Sequence, residues 1–211
     1  MNKGYDRIAP IYDAIAGIFS FNQINKSQLA FLSHLSNQAT CLILGGGTGY
    51  FLQKILEENK TIQVTYVEAS VKMIESAQKR IAANLPNELH RIIFIHEGAE
   101  CFSFEKYDII VCNYFLDLFD DMYVTFLVGR FKQHLNNNGL LYITDFSIPE
   151  KGLMHWSTKA GVKVLYKFFK WTTNLQTQKL PAIDTVVRGK GFYVLETKEF
   201  FKGILKCTLY K

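Results

Sequence analysis

The run Cys41-Leu42-Ile43-Leu44 drives directly into Gly45-Gly46-Gly47-Thr48-Gly49, after which Phe51, Leu52, Ile55 and Leu56 recur at helical spacing. A short apolar run followed by that periodicity predicts a buried strand and then a helix, with the glycines at the turn between them. Glycine there permits a positive φ and lets a ligand lie against the backbone. The first N–H groups of the helix offer donors to a polar or anionic ligand. A dinucleotide fingerprint requires glycines at the first, third and sixth positions. Counted from Gly45 the sixth position is Tyr50, so that pattern fails, and the glycines stand instead at 45, 47 and 49.

The remaining chain repeats the alternation. Residues 62–67 read as a second strand ending at Glu68, and Ser70 can N-cap a helix whose core side is Ile74, Ala77, Ile81 and Leu85. Residues 91–95 and 107–112 are a third and a fourth strand. Asp120 or Asp121 opens a helix with Val124, Leu127, Phe131 and Leu135 on one face. Residues 136–139, Asn-Asn-Asn-Gly, predict a turn, and 140–144 a fifth strand. Near-continuous apolar strands alternating with helices imply a parallel sheet covered on both faces. Residues 5–35 and 153–171 read as helical. The runs 192–198 and 204–210 are too close together for a parallel crossover, so they pair antiparallel.

In an open sheet of this kind a ligand binds beyond the carboxyl ends of the strands. Glu68 lies there, 19 residues after Gly49, where a carboxylate can accept both hydroxyls of a ribose. Gly98, Ala99 and Glu100 follow the third strand at the place of an adenine. Asn113 and Tyr114 follow the fourth, where an amide and a ring can close over a cofactor. A helix-terminal acid, a surface turn and a core tyrosine are the alternatives at these positions.

These segments, in order and over nearly the whole chain, resemble the class I S-adenosylmethionine (SAM)-dependent methyltransferases of small-molecule type, nearest to the ubiquinone/menaquinone biosynthesis group. The opening Tyr5-Asp6-Arg7-Ile8-Ala9-Pro10-Ile11-Tyr12-Asp13 is similar to that group's YDxxAxxYD signature. Residues 44–49 resemble motif I, and Val67-Glu68-Ala69-Ser70 through Met73 the acidic ribose motif. Residues 135–146 look like the usual lead into the fifth strand. The resemblance implies a Rossmann-like, doubly wound α/β sheet of seven strands in the order 3-2-1-4-5-7-6, the last antiparallel, with helices on both faces. It implies one domain over residues 1–211, with a helical cap at 1–35 and a basic helical insertion at 150–190 over the substrate cleft. SAM is the implied cofactor, held by Tyr5, Tyr12, Gly45, Gly46, Gly47, Thr48, Gly49, Glu68, Ala69, Met73, Gly98, Ala99, Glu100, Asn113 and Tyr114. Two positions depart from the family pattern. Ile43 stands where motif I usually begins with an acid, and Gly98 where an Asp usually meets the adenine amino group, leaving Glu97, Glu100 or a backbone group to substitute.

The expected reaction is in-line methyl transfer to a small, hydrophobic acceptor. Asp117 and Asp145 are the best-placed proton acceptors, followed by His155; a helix cap or a lysine pair is the alternative for each. The loops that hold a nucleobase are absent: Asn113 is followed by Tyr114 and Phe115, and no Pro-Cys dipeptide occurs. Nucleic acid and metal are therefore not expected. Four scattered cysteines, a polar N-terminus and the lack of a long apolar run predict a cytoplasmic protein. Charge is split unevenly, with 12 Lys/Arg against 15 Asp/Glu in residues 1–149 and 12 against 4 in 150–211. Lys159, Lys163, Lys167 and Lys170 fall on one helical stripe beside Val162, Leu165, Phe168 and Phe169. That arrangement suits contact with an acidic membrane surface, or equally a helix packed on the core with its lysines in water. Two other functions fit the same sequence: a degenerate methyltransferase fold that binds a ligand or partner, and an NAD(P)-dependent oxidoreductase.

Overall fold

The computed structural model describes residues 21–35, 39–147 and 180–211. Tyr5, Tyr12, His155 and the lysines at 159, 163, 167 and 170 lie outside the described residues. Helix α1 (Phe21–Gln28) and a 3₁₀ turn (Leu32–Leu35) precede strand β1 (Thr40–Leu44). Then come α2 (Tyr50–Glu58), β2 (Gln63–Glu68), α3 (Val71–Asn84), β3 (Ile92–His96), β4 (Tyr107–Asn113), α4 (Asp121–His134) and β5 (Leu135–Phe146). Helix α5 (Ile183–Gly189), β6 (Val194–Phe200) and β7 (Leu205–Tyr210) complete the chain.

The strands form one sheet in the order β3-β2-β1-β4-β5-β7-β6, and β7 runs antiparallel to both of its neighbours. Cys41, Leu42, Ile43 and Leu44 are all buried because β1 is central and covered on both sides. One face packs under α2 and α3, with Ile43, Tyr66, Tyr142, Ile55 and Ile81 in a single cluster. The other packs under α4 and α5, with Leu42, Ile110, Leu141, Leu127 and Val187. The edge strands β3 and β6 are each solvated on one side and mix exposed with half-buried residues.

Helix starts follow the sequence. Ser70 accepts from the Met73 N–H at 3.3 Å, and Asp120 from the Tyr123 N–H at 2.8 Å. The Asn-Asn-Asn-Gly segment is not a turn before the fifth strand but a bulge inside it. Strand β5 begins at Leu135, opposite Tyr107, and the next pair is Ile109 with Leu140. Asn138 takes φ 67, and a side chain at Gly139 would stand 2.9 Å from the Asn136 carbonyl oxygen and 3.1 Å from that of Asp108. Short helix α5, within the segment expected to form the insertion, packs its Ile183 and Val187 into the core beside α4.

Candidate active site

Strand register sets the site. Leu44 is level with Val67 on one side and Cys112 on the other, Glu68 with His96, and Asn113 with Thr144. His96, Glu68, Gly45, Asn113 and Thr144 therefore form one row along the carboxyl edge of the sheet. The row crosses the point between β1 and β4 where the direction of winding reverses, which is where open α/β sheets bind ligands.

At the centre, Gly45, Gly47 and Gly49 take φ values of 61, 62 and 79. The ring of Phe115 lies where a side chain on Gly45 would have to be, so glycine is required there by space as well as by φ. Nothing stands within 4 Å of the position a Cβ on Gly47 would take, so that face of the loop is open. Three side chains hold the loop from other elements. Glu68 accepts the Gly47 N–H at 3.0 Å, Tyr66 donates to the Gly47 carbonyl at 2.6 Å, and Arg80 Nε donates to the Thr48 carbonyl at 2.9 Å.

Glu68 is 8% exposed and also accepts the Ser70 N–H at 2.9 Å. Burial pushes its carboxyl above the usual range, and the N–H groups of Ser70, Gly47 and Ala69 and the nearby His96 oppose that rise. Ala69 keeps its carbonyl 3.1 Å from His96 Nε2, and Met73 is buried in the first turn of α3.

Beyond β3, the Gly98 carbonyl accepts from the N–H groups of Cys101 and Phe102 in a tight turn. The Glu100 carboxylate folds into the space a side chain at 98 would fill, with Tyr123 Oη 3.5 Å from Glu100 Oε2. Arg130 of α4 fixes the same turn. It donates to the carbonyls of Ala99 and Phe102 and lies 4.1 Å above the Phe104 ring centre.

Beyond β4, Asn113 keeps both side-chain amide atoms buried and, among the described residues, without a hydrogen-bond partner. Tyr114 turns left-handed at φ 52 and places its hydroxyl 2.5 Å from Ser27 Oγ on α1. Asp117 and Asp145 meet below, 5% and 4% exposed. Asp145 accepts from the N–H groups of Asp117 and Phe146, each at 3.2 Å. Burial raises both carboxyls, Asp117 to about 6 and Asp145 well beyond the normal range, where the second charge raises it further. Each charge disfavours the other, so the pair binds a proton more readily than a lone carboxyl does. Ile43, where the family's acid is missing, is 2% exposed in the core.

The described residues fit an adenosyl cofactor: an open glycine cradle, a carboxylate beside it and an orphaned buried amide on one edge. They contain no cluster of His, Cys, Asp and Glu able to hold a metal. Tyr66, Arg80, Phe115, Ser27 and Arg130 were not foreseen as parts of this edge. Each reaches it across a separation that leaves no local pattern in the sequence.

Residues 42–141 match the family described as Methyltransferase domain. Malonyl-[acyl-carrier protein] O-methyltransferase 1 of Ilyobacter polytropus is 27% identical over 209 residues, covering 95% of this chain and 69% of that protein. The malonyl-[acyl-carrier protein] O-methyltransferase of Priestia megaterium is 27% identical over 148 residues, covering 68% and 50%. Among solved structures, the mitomycin 7-O-methyltransferase MmcR superposes with a TM-score of 0.72 at 15% identity, covering 97% of this chain and 59% of that one. Human N-acetylserotonin methyltransferase in complex with SAM gives 0.67 at 16%, covering 96% and 55%. The chain thus spans little more than half the length of these solved proteins, and the likeness to them is one of fold. Sheet order, glycine loop and the match over residues 42–141 agree, and the chain carries a methyltransferase domain whose fold is that of the SAM-dependent methyltransferases it is similar to.

Proposed function

We propose that this chain transfers the methyl group of SAM to an oxygen of a small, hydrophobic acceptor. Asn113 carries the reading. A buried amide with no partner costs about 1–3 kcal/mol, and Asn113 stands on the row that also holds the glycine loop and Glu68. A ligand with donors and acceptors at that place removes the cost. On this reading the open face of Gly47 and the residues around it, Gly45, Gly46, Thr48 and Gly49, cradle the cofactor, with Ala69 and Met73 beside the ribose. Glu68 accepts from the ribose hydroxyls. Glu100 supplies, from two residues on, the carboxylate that Gly98 lacks, with Ala99 forming the wall of the adenine site.

Bound SAM supplies an activated methyl group on sulfur, so the protein mainly aligns the acceptor and excludes water. Asp117 and Asp145 receive the proton an acceptor hydroxyl releases as its O–CH₃ bond forms; sharing one proton, the pair has one place left for it. The O-methyltransferase relatives support an oxygen acceptor. Free cysteines, three of the four buried, support a cytoplasmic setting. The basic C-terminal portion, including Lys159, Lys163, Lys167 and Lys170, supports contact with an acidic surface.

Titration calorimetry with SAM, S-adenosylhomocysteine and NAD tests the reading. Binding of the first two and not of NAD is expected. NAD binding without S-adenosylhomocysteine binding overturns it in favour of an oxidoreductase. Binding with no methyl transfer to any hydroxylated acceptor returns the chain to a ligand-binding role.

A further inference from the structure

Tyr114 holds a left-handed conformation, φ 52, that is costly for a side chain of its size, at the point where β4 ends. Its N–H donates to the Thr144 carbonyl at 2.6 Å, and its ring tilts against Phe146 with centroids 5.2 Å apart. The third restraint is the hydroxyl, 2.5 Å from Ser27 Oγ. Ser27 is fully buried and spends its one proton on the Ile24 carbonyl at 2.8 Å. Tyr114 is therefore the donor in their bond. A directed chain results, from the Tyr114 hydroxyl through the Ser27 hydroxyl to the backbone of α1.

Other site-side residues grip the same end of that helix. Tyr142 of β5 donates to the Gln28 carbonyl at 2.7 Å and accepts the Phe31 N–H at 3.2 Å. Lys198 of β6 donates to the Ala30 carbonyl at 3.2 Å. The Gln28 carbonyl that the helix end leaves open, and the Ala30 carbonyl just beyond it, are thus taken up by the sheet that builds the site. Residue 113 shares a peptide plane with Tyr114, so whatever holds Tyr114 also fixes the backbone from which the Asn113 amide, unpartnered among the described residues, projects.

We propose that Tyr114 is a positioning residue: by its bond to Ser27 it ties α1 to the end of β4 and thereby aims the Asn113 amide at the cofactor. The proposal rests on the SAM reading above. It makes cofactor affinity depend on a contact made 86 residues before Asn113 in the chain.

The test is calorimetry of S-adenosylhomocysteine binding, with melting temperatures in parallel, for wild type, Tyr114→Phe, Ser27→Ala and Ser27→Thr. Tyr114→Phe is then repeated in an Asn113→Ala background. Tyr114→Phe and Ser27→Ala should each weaken binding about five- to tenfold, the worth of one hydrogen bond. A variant carrying both Tyr114→Phe and Ser27→Ala should be no worse than either alone, and Ser27→Thr should bind as wild type does. With Asn113→Ala already present, Tyr114→Phe should leave the dissociation constant unchanged while still lowering the melting temperature. Loss of thermal stability with full affinity in Tyr114→Phe and Ser27→Ala overturns the proposal and makes the bond simple packing. An equal loss of affinity with and without Asn113 also overturns it. Wild-type protein that binds no S-adenosylhomocysteine overturns the cofactor reading itself, a result separate from either of these.

Discussion

Glu68 holds Gly47 and Ser70 by their N–H groups, and in the proposed function it also offers oxygen to a ribose. Glu68→Ala removes both and should weaken S-adenosylhomocysteine binding by about 1.5–3 kcal/mol. Glu68→Gln keeps one oxygen and should fall between wild type and Ala; affinity unchanged in both excludes the residue from the site. Glu100 is exposed and holds no backbone, so Glu100→Ala should cost affinity, about 1 kcal/mol, with no change in melting temperature. The acid pair behaves differently. Its carboxyls are raised in the folded protein, so between the unfolded value near 4 and the folded values the native state binds more protons. Stability therefore falls as pH rises through about 6, and Asp145→Asn should flatten that decline and raise the melting temperature near pH 8. A steeper decline in the variant would contradict the mutual repulsion. That Glu68 and the glycines stand together on one edge was legible because an acid at a strand end and a glycine turn declare their positions by type and spacing. Arg80 and Tyr66 were not, since an ordinary helix arginine and strand tyrosine reach the loop only after folding.

At the level of elements the two ends of the sheet divide the work. The carboxyl edge carries the site, and the opposite edge is stapled by Arg91, 3% exposed at the start of β3. Its guanidinium donates to the carbonyls of Leu56 and Asn59 at 3.1 and 2.7 Å and pairs with Glu88 at 2.7 Å. It thereby closes the carboxyl end of α2, where a cation is also favoured by the helix dipole. Arg91→Met should lower stability by about 2–4 kcal/mol, because buried carbonyls and Glu88 lose their partner. Affinity for S-adenosylhomocysteine in the folded variant should match wild type; a parallel loss would mean that the two edges are coupled. The strand–helix order was readable because apolar runs and 3.6-residue periods persist over whole elements. The bulge in β5 was hidden, since Asn-Asn-Asn-Gly has the composition of a turn and only pairing with β4 shows the strand continuing on both sides. Helix α5 was hidden for a different reason: seven residues are too few for periodicity to separate a helix from a loop.

Across the whole molecule the uneven charge is the property the fold does not explain. Residues 150–211 carry 12 Lys/Arg against 4 Asp/Glu, and the apolar acceptor proposed above has to be drawn from somewhere. No helix among the described residues is long and apolar enough to cross a membrane, and the contact proposed here is electrostatic and peripheral. Each lysine near an acidic bilayer contributes about 1 kcal/mol, an attraction that decays within a Debye length of about 8 Å at physiological salt. The protein should therefore sediment with phosphatidylserine vesicles at low salt and much less at high salt. Replacing Lys159, Lys163, Lys167 and Lys170 with Gln removes four such contributions and should abolish sedimentation. S-adenosylhomocysteine affinity should persist in that variant, since the described contacts that hold the glycine loop come from Glu68, Tyr66 and Arg80. Wild-type protein that ignores acidic vesicles at low salt would leave these lysines as a solvated face, or as a clamp for an acidic substrate. The second case would show as substrate affinity lost in the variant while cofactor affinity is kept.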